Sequence, residues 1–203
     1  CTSEGMLVCD AGQNIIDVNN AYCKITGYRA EEVIGRQPNL LASGRHDSDF
    51  YRQMVQRRAT GPLRSYYDVP AADPDTPIRN VEFVALDLET TGLDPKHDEI
   101  VSIGLVIIRQ LAVDFSSCQH LLVRPKKELS ESSVIVHRIF DSDVEQAPDI
   151  EIALAHILPI LAGRVLVAHH APTELGFLGH ACKRYFGASL QIPTVDHLVL
   201  ALR

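Results

Sequence analysis

A mixed α/β sheet flanked by helices is the fold the sequence predicts, with a smaller α+β segment ahead of it. Three observations carry this prediction. Strand-like apolar runs come three in succession, at residues 81–88, 100–108 and 119–123. Helix and strand patterns then alternate, with a helix over 149–161, a strand over 165–168 and a helix over 172–186. Before all of these, a hairpin pattern and three short helical patterns lead into a polar, proline-bearing stretch.

Taken in order, residues 5–10 (GMLVCD) and 14–19 (NIIDVN) are short apolar runs separated by Ala-Gly-Gln, which reads as a hairpin. Helices are expected over 20–26, 30–34 and 47–57, with Asp47 as the cap of the last. Residues 56–80 hold Pro62, Pro70, Pro74 and Pro77 and show no sustained hydrophobic period, so they read as a linker or extended leader. The three strands follow. Asp149 caps the next helix, whose last turn Pro159 distorts. Residues 165–168 form a buried strand, and Gly187 ends the helix after it. The expected division is therefore 1–55, a linker over 56–80, and a main domain over 81–203.

Composition narrows the function classes. Of 203 residues, 46% are hydrophobic and 22% charged, and mean hydropathy is close to zero. The most apolar stretch, 152–168, is broken by His156, Pro159, Gly163 and Arg164, so no membrane span is expected. No basic-then-apolar leader argues for secretion. The five cysteines (Cys1, Cys9, Cys23, Cys118 and Cys182) form no CxxC pair, which speaks against a zinc cluster or disulfide scaffold and for a reducing, cytoplasmic compartment. Residues 1–60 hold seven acids and seven bases, so the whole net charge of −7 lies beyond them. Such a domain is poorly suited to coating duplex DNA directly. Its acids suit divalent cations, which in turn attract phosphate.

The densest chemical signal is Asp87-Leu88-Glu89-Thr90-Thr91-Gly92-Leu93. On a strand, positions i and i+2 share a face, so Asp87 and Glu89 project together near the strand's C-terminal end. Two carboxylates held together repel unless a cation or proton lies between them. A hard ion such as Mg²⁺ is the simplest solution. The bare Asp-x-Glu pattern also marks ordinary solvated strand ends, and that plainer reading stays open at this point.

Placed after the apolar VEFVA, this segment closely resembles the first motif of the DEDD exonuclease superfamily, in particular the proofreading epsilon-subunit type of DNA polymerase III. Residues 167–178 (VAHHAPTELGFL) resemble the second motif, usually AHNAxFDxxFL. Val136-His137-Arg138-Ile139 with Asp143 resembles the His-Gly-Ile segment between them. Over about 81–203 the resemblance implies an RNase H-like sheet with a two-metal site. That site would release nucleotides singly from the 3′ end of a single-stranded nucleic acid. Asp87 is implied to bridge two Mg²⁺ or Mn²⁺ ions, Glu89 to bind one and Glu174 the other, so these three are the implied catalytic and metal-binding set. Leu88, Thr90, Thr91, Leu93, His137 and His170 are the implied substrate-facing set. His137 reads equally well as a hydrogen-bonded loop histidine. Glu174, His170 and Thr173 stand where the family usually has Asp, Asn and Phe. No histidine here has an aspartate five residues later, so the third motif is expected to be missing and the domain truncated at its C-terminus.

Residues 19–28 (NNAYCKITGY) and 31–36 (EEVIGR) resemble the PAS sensor family, and 40–47 (LLASGRHD) is similar to PAS modules ahead of bacterial cyclic-di-GMP enzymes. Over about 3–55 the resemblance implies a partial PAS segment lacking three strands. Its open apolar edges near 7–9 and 15–18 favour self-association. Gln37-Pro38-Asn39 stands where the photoactive flavin subgroup has its cysteine, and His46 lies in a polar turn, so neither flavin nor haem is expected. The leading reading is a metal-dependent 3′–5′ exonuclease domain behind a partial PAS segment. The alternative is a PAS-type signalling or interaction protein with an inert nuclease domain. A third is an artificial fusion of two modules.

Overall fold

The computed structural model describes residues 5–10, 12, 14–38, 48–127 and 138–198. The chain forms two compact units, one up to Tyr51 and one from Arg52 onward. The first unit opens with the expected hairpin, β1 (Leu7–Cys9) antiparallel to β2 (Ile15–Val18), with Leu7 opposite Val18. Helix α1 (Asn20–Thr26) starts at Asn19, whose Oδ1 accepts the N–H of Tyr22 at 2.8 Å and that of Met6 at 3.0 Å. One side chain thus caps the helix and ties it to the chain entering β1. Gly27, at φ 79°, ends α1 in the left-handed conformation. Helix α2 (Ala30–Val33) closes a small core of Ile15, Tyr22 and Val33. Helix α3 (Ser48–Gln56) follows. Residues 40–47, with the expected cap Asp47 and with His46, lie outside the described residues.

The second unit begins with a departure from expectation. Within 56–80, Gly61–Asp68 is helix α4, with Pro62 in its first turn, where the missing N–H has no helical acceptor to lose. Leu63, Tyr66 and Tyr67 are buried in the main core. The Tyr66 hydroxyl donates to the Gln191 carbonyl at 2.8 Å. The Tyr67 hydroxyl donates to the Ser189 carbonyl at 2.8 Å and accepts the Gln191 N–H at 2.9 Å. The prolines flank the helix rather than interrupt it, and eight residues are too few for a clear period. A single 3₁₀ turn (Ile78–Asn80) then leads into the sheet.

Strands β3 (Phe83–Thr90), β4 (Ile100–Arg109) and β5 (Ala112–Leu122) run antiparallel in succession. Short α5 (Asp141–Val144) and long α6 (Ile150–Leu161) precede β6 (Val165–Ala168), helix α7 (Ala171–Phe186) and β7 (Thr194–Asp196). The sheet order is β5-β4-β3-β6-β7, with β6 parallel to β3 and β7 parallel to β6. This is the mixed sheet the sequence predicts, with β3 at its centre. Strand β5 starts well before the expected residue 119. Its turn from β4 uses Gln110 and Leu111, at φ 52° and 64°, in place of the Asn-Gly pair that announces such turns.

Alternation along β3 divides its two faces. Val84 and Leu86 are buried, and half-buried Leu88 packs with them, in a core shared with α4, α6 and α7. Helix α6 supplies Leu154, Ile157, Leu158 and Leu161, all fully buried. Asp149 stands at its N-cap position, but its carboxylate accepts from Arg124 at 2.9 Å instead of from the helix. A smaller cluster joins Val101, Ile139, Val144 and Ala147. Among the described residues no helix is long and apolar enough to cross a membrane.

Candidate active site

Asp87 and Glu89 occupy the face of β3 opposite Leu86 and Leu88, as strand alternation requires. Across the antiparallel register Asp87 lies opposite Gly104, and Glu89 opposite the buried Ser102. The register shifts between Glu89 and Thr90, so the strand bends directly after the second carboxylate. The turn that follows is closed by Thr91, whose N–H donates to the Glu99 carbonyl at 2.9 Å and whose hydroxyl accepts the Glu99 N–H at 3.0 Å. The Thr90 hydroxyl donates to the Gly92 carbonyl at 2.7 Å. Leu93 is left 91% exposed at the tip.

Glu174 arrives from the other side of the site. It lies in the first turn of α7, just after β6, and only 5% of it is exposed. Its Oε2 has no hydrogen-bond partner. Burial above all raises its carboxyl above the ordinary value, and the charges of Asp87 and Asp196 add to this; its own N–H and His170 pull the other way. Glu174 and Asp87 therefore sit in one electrostatic neighbourhood, with His170 and Asp196 at its edge. A buried carboxylate oxygen without a partner is costly, and a cation satisfies it. The donor set of Asp87, Glu89 and Glu174 is all hard oxygen, which fits Mg²⁺ or Mn²⁺. Among the described residues, no three His, Cys, Asp or Glu side chains are already gathered to ligand an ion.

The substrate-facing candidates fall in different places. Leu88 turns its side chain into the main core, because it is out of phase with Asp87 on the strand. Thr90, Thr91 and Leu93 make the turn. His170 is the N-cap residue of α7, with its Nδ1 2.7 Å from the Thr173 hydroxyl. His137 lies outside the described residues. Two groups near the site were not anticipated. Asp196 ends β7 opposite Ala168, and the Nδ1 of His197 lies 3.1 Å from the Nδ1 of His169, a contact in which one ring donates and the other accepts. The only signal for them was the three-residue Thr-Val-Asp after Pro193, too short to show a strand period.

The Exonuclease family model RNase_T matches residues 84–202. The chain belongs to the RNase_T exonuclease family. Ahead of the exonuclease region, the PAS fold model matches residues 2–70. The DNA polymerase III PolC-type of Thermotoga petrophila is 36% identical over 129 residues, covering 63% of this exonuclease chain and 9% of the relative. A DNA polymerase III subunit epsilon-like protein of Rhodobacter capsulatus is 35% identical over 131 residues, covering 63% and 18%. The chain thus spans a minor part of the relatives it matches. A metal-free complex of E. coli exonuclease I with single-stranded DNA aligns with TM-score 0.54 at 14% identity, over 60% of this chain and 29% of that one. That likeness is one of fold, the RNase H-like mixed sheet.

Proposed function

We propose that this exonuclease domain hydrolyses phosphodiester bonds at the 3′ end of a single-stranded nucleic acid, one nucleotide at a time, with two Mg²⁺ or Mn²⁺ ions. The observation that carries the reading is Glu174, a buried carboxylate with one oxygen lacking a partner and within electrostatic reach of Asp87. Asp87, Glu89 and Glu174 would hold the ions. Ions held there would supply positive charge to polarise the scissile phosphate and to lower the pKa of the attacking water. The chain's own residues position the strand. Leu93 offers an apolar side chain to the terminal nucleotide, and the Thr90 and Thr91 hydroxyls brace the turn that presents it. With a surplus of seven acids in this region, attraction of the phosphate falls to the cations.

The test is Mn²⁺-supported digestion of a 3′-labelled single strand beside a 3′-blocked one. Metal-dependent release of label from the first, with the second intact, supports the reading. Equal digestion of both contradicts the 3′ polarity. Absence of both release and Mn²⁺ binding is the outcome that an inert nuclease domain serving PAS-type signalling predicts.

A further inference from the structure

Between β3 and β4 the chain makes an excursion whose tip is Leu93, and two positions around it leave no room for a Cβ. A methyl group on Gly92 would lie 2.4 Å from Oδ2, 2.6 Å from Cγ and 2.7 Å from Oδ1 of Asp98. One on Gly176, two residues after Glu174 in α7, would lie 2.9 Å from Cγ of Pro95. The Asp98 carboxylate is therefore packed directly against Gly92, and the Pro95 ring against the helix that carries Glu174.

Asp98 uses this closeness. Its Oδ2 accepts the Asp94 N–H at 2.8 Å, and its Oδ1 accepts from the Thr91 hydroxyl at 3.4 Å. One carboxylate thus holds both limbs of the turn, with Gly92 and Leu93 stretched between them. The Thr91 hydroxyl passes the constraint on to the start of β4 through the Glu99 N–H. The backbone that carries Leu93 is held this way at a solvent-facing tip before any ligand arrives, which lowers the entropy cost of ordering the turn on binding.

We propose that Asp98 is a positioning residue for the strand end. Acting through Gly92 and Thr91, it fixes where Leu93 meets the terminal nucleotide, while the Gly176–Pro95 contact fixes the same turn against α7 and so relative to Glu174. The inference rests on the exonuclease reading. Asp98 touches neither the nucleotide nor the ions, so its loss acts on strand binding and not on the chemical step.

The experiment measures kcat and KM for a 3′-labelled single strand with Mn²⁺, together with melting temperature, for six forms of the chain. These are the wild type, Asp98→Ala, Asp98→Asn, Gly92→Ala, Leu93→Ala and the double variant Gly92→Ala/Asp98→Ala. Two hydrogen bonds are at stake, so Asp98→Ala is expected to raise KM about tenfold with kcat little changed. Asp98→Asn retains an acceptor for the Asp94 N–H and is expected to recover most of the loss. Gly92→Ala alone is expected to match Asp98→Ala. Added to Asp98→Ala it should cost little more, in KM and in melting temperature alike, because the atoms it would strike are gone. Leu93→Ala should raise KM to a similar degree.

Wild-type KM in Asp98→Ala, or fully additive effects of the Gly92 and Asp98 changes, would overturn the positioning role while leaving the exonuclease reading intact. A wild-type chain that neither binds nor cuts the strand would sink the exonuclease reading, and the positioning role with it.

Discussion

Glu174 faces opposing demands at a single position. Its burial and the nearby Asp87 charge favour the protonated form, whereas holding a cation requires the ionised one. Its folded-state pKa lies above the ordinary 4.5, so the unfolded chain ionises first as pH rises. Its contribution to stability is therefore present below about pH 4.5 and lost as pH climbs through the folded value. Glu174→Gln removes that loss. The variant is expected to melt roughly 2–4 °C higher than wild type at neutral pH, equivalent to about 1 kcal/mol, and to rise less than wild type on addition of Mn²⁺. Melting curves from acid to neutral pH, with and without Mn²⁺, check both points. The difference between the two chains isolates Glu174 from groups such as Glu82, whose partial burial is outweighed by hydrogen bonds from Arg109 and Arg164 that lower its pKa. Identical pH slopes in the two chains would refute the account of this residue. The sequence revealed much of this site. A period of two puts Asp87 and Glu89 on one face, and a helix starting directly after a strand puts Glu174 near a strand end. It did not reveal Asp196, His197 or the closeness of Asp98 to Gly92, because each depends on contacts between segments far apart in the chain or on a turn with no repeating pattern.

Among the elements, α4 is the one whose role the sequence concealed. Leu63, Tyr66 and Tyr67 share a face, but four prolines scattered over 56–80 mask it, and only the packing on α6 and α7 shows that this stretch belongs to the core. Leu63 is fully buried, so Leu63→Ala is expected to cost about 2–5 kcal/mol in chemical denaturation, as a core residue would. A cost below about 0.5 kcal/mol would show the helix to be a mere connector. The β4–β5 turn offers the opposite case. Gln110 and Leu111 both take left-handed conformations without being Gly or Asn. Replacing them by Asn and Gly should stabilise the chain by about 1 kcal/mol, read from the same denaturation curves, because the side-chain strain of that conformation is relieved. This turn also explains why β5 was read too short. Its early residues, around Asp114, Phe115 and Ser116, lack the alternation of a half-buried strand, since Ala112, Val113 and Phe115 are exposed. The central strands were legible because they are buried on at least one face and read as continuous apolar runs, β4 with its first four residues all buried.

At the scale of the whole chain, the two units differ in how much they enclose. Among its described residues the first has a two-stranded sheet, a core of three buried residues, and exposed Met6, Val8, Ile16, Ile25 and Ile34. A sheet that small is marginal on its own, and an open apolar edge pairs readily. The chain is therefore expected to self-associate through this segment as concentration rises, which sedimentation would show, and Val8→Asp should suppress it. A monomer at all concentrations in both forms would show that the segment needs no partner. The second unit holds the exonuclease fold, and its activity turns on whether three carboxylates from β3 and α7 share divalent ions. Calorimetric titration of Mn²⁺ into the wild-type chain and into Asp87→Asn, Glu89→Gln and Glu174→Gln tests this most directly. The predicted result is saturable binding to the wild type, weakened by at least about tenfold in each variant. Unchanged Mn²⁺ affinity in all three variants would contradict it.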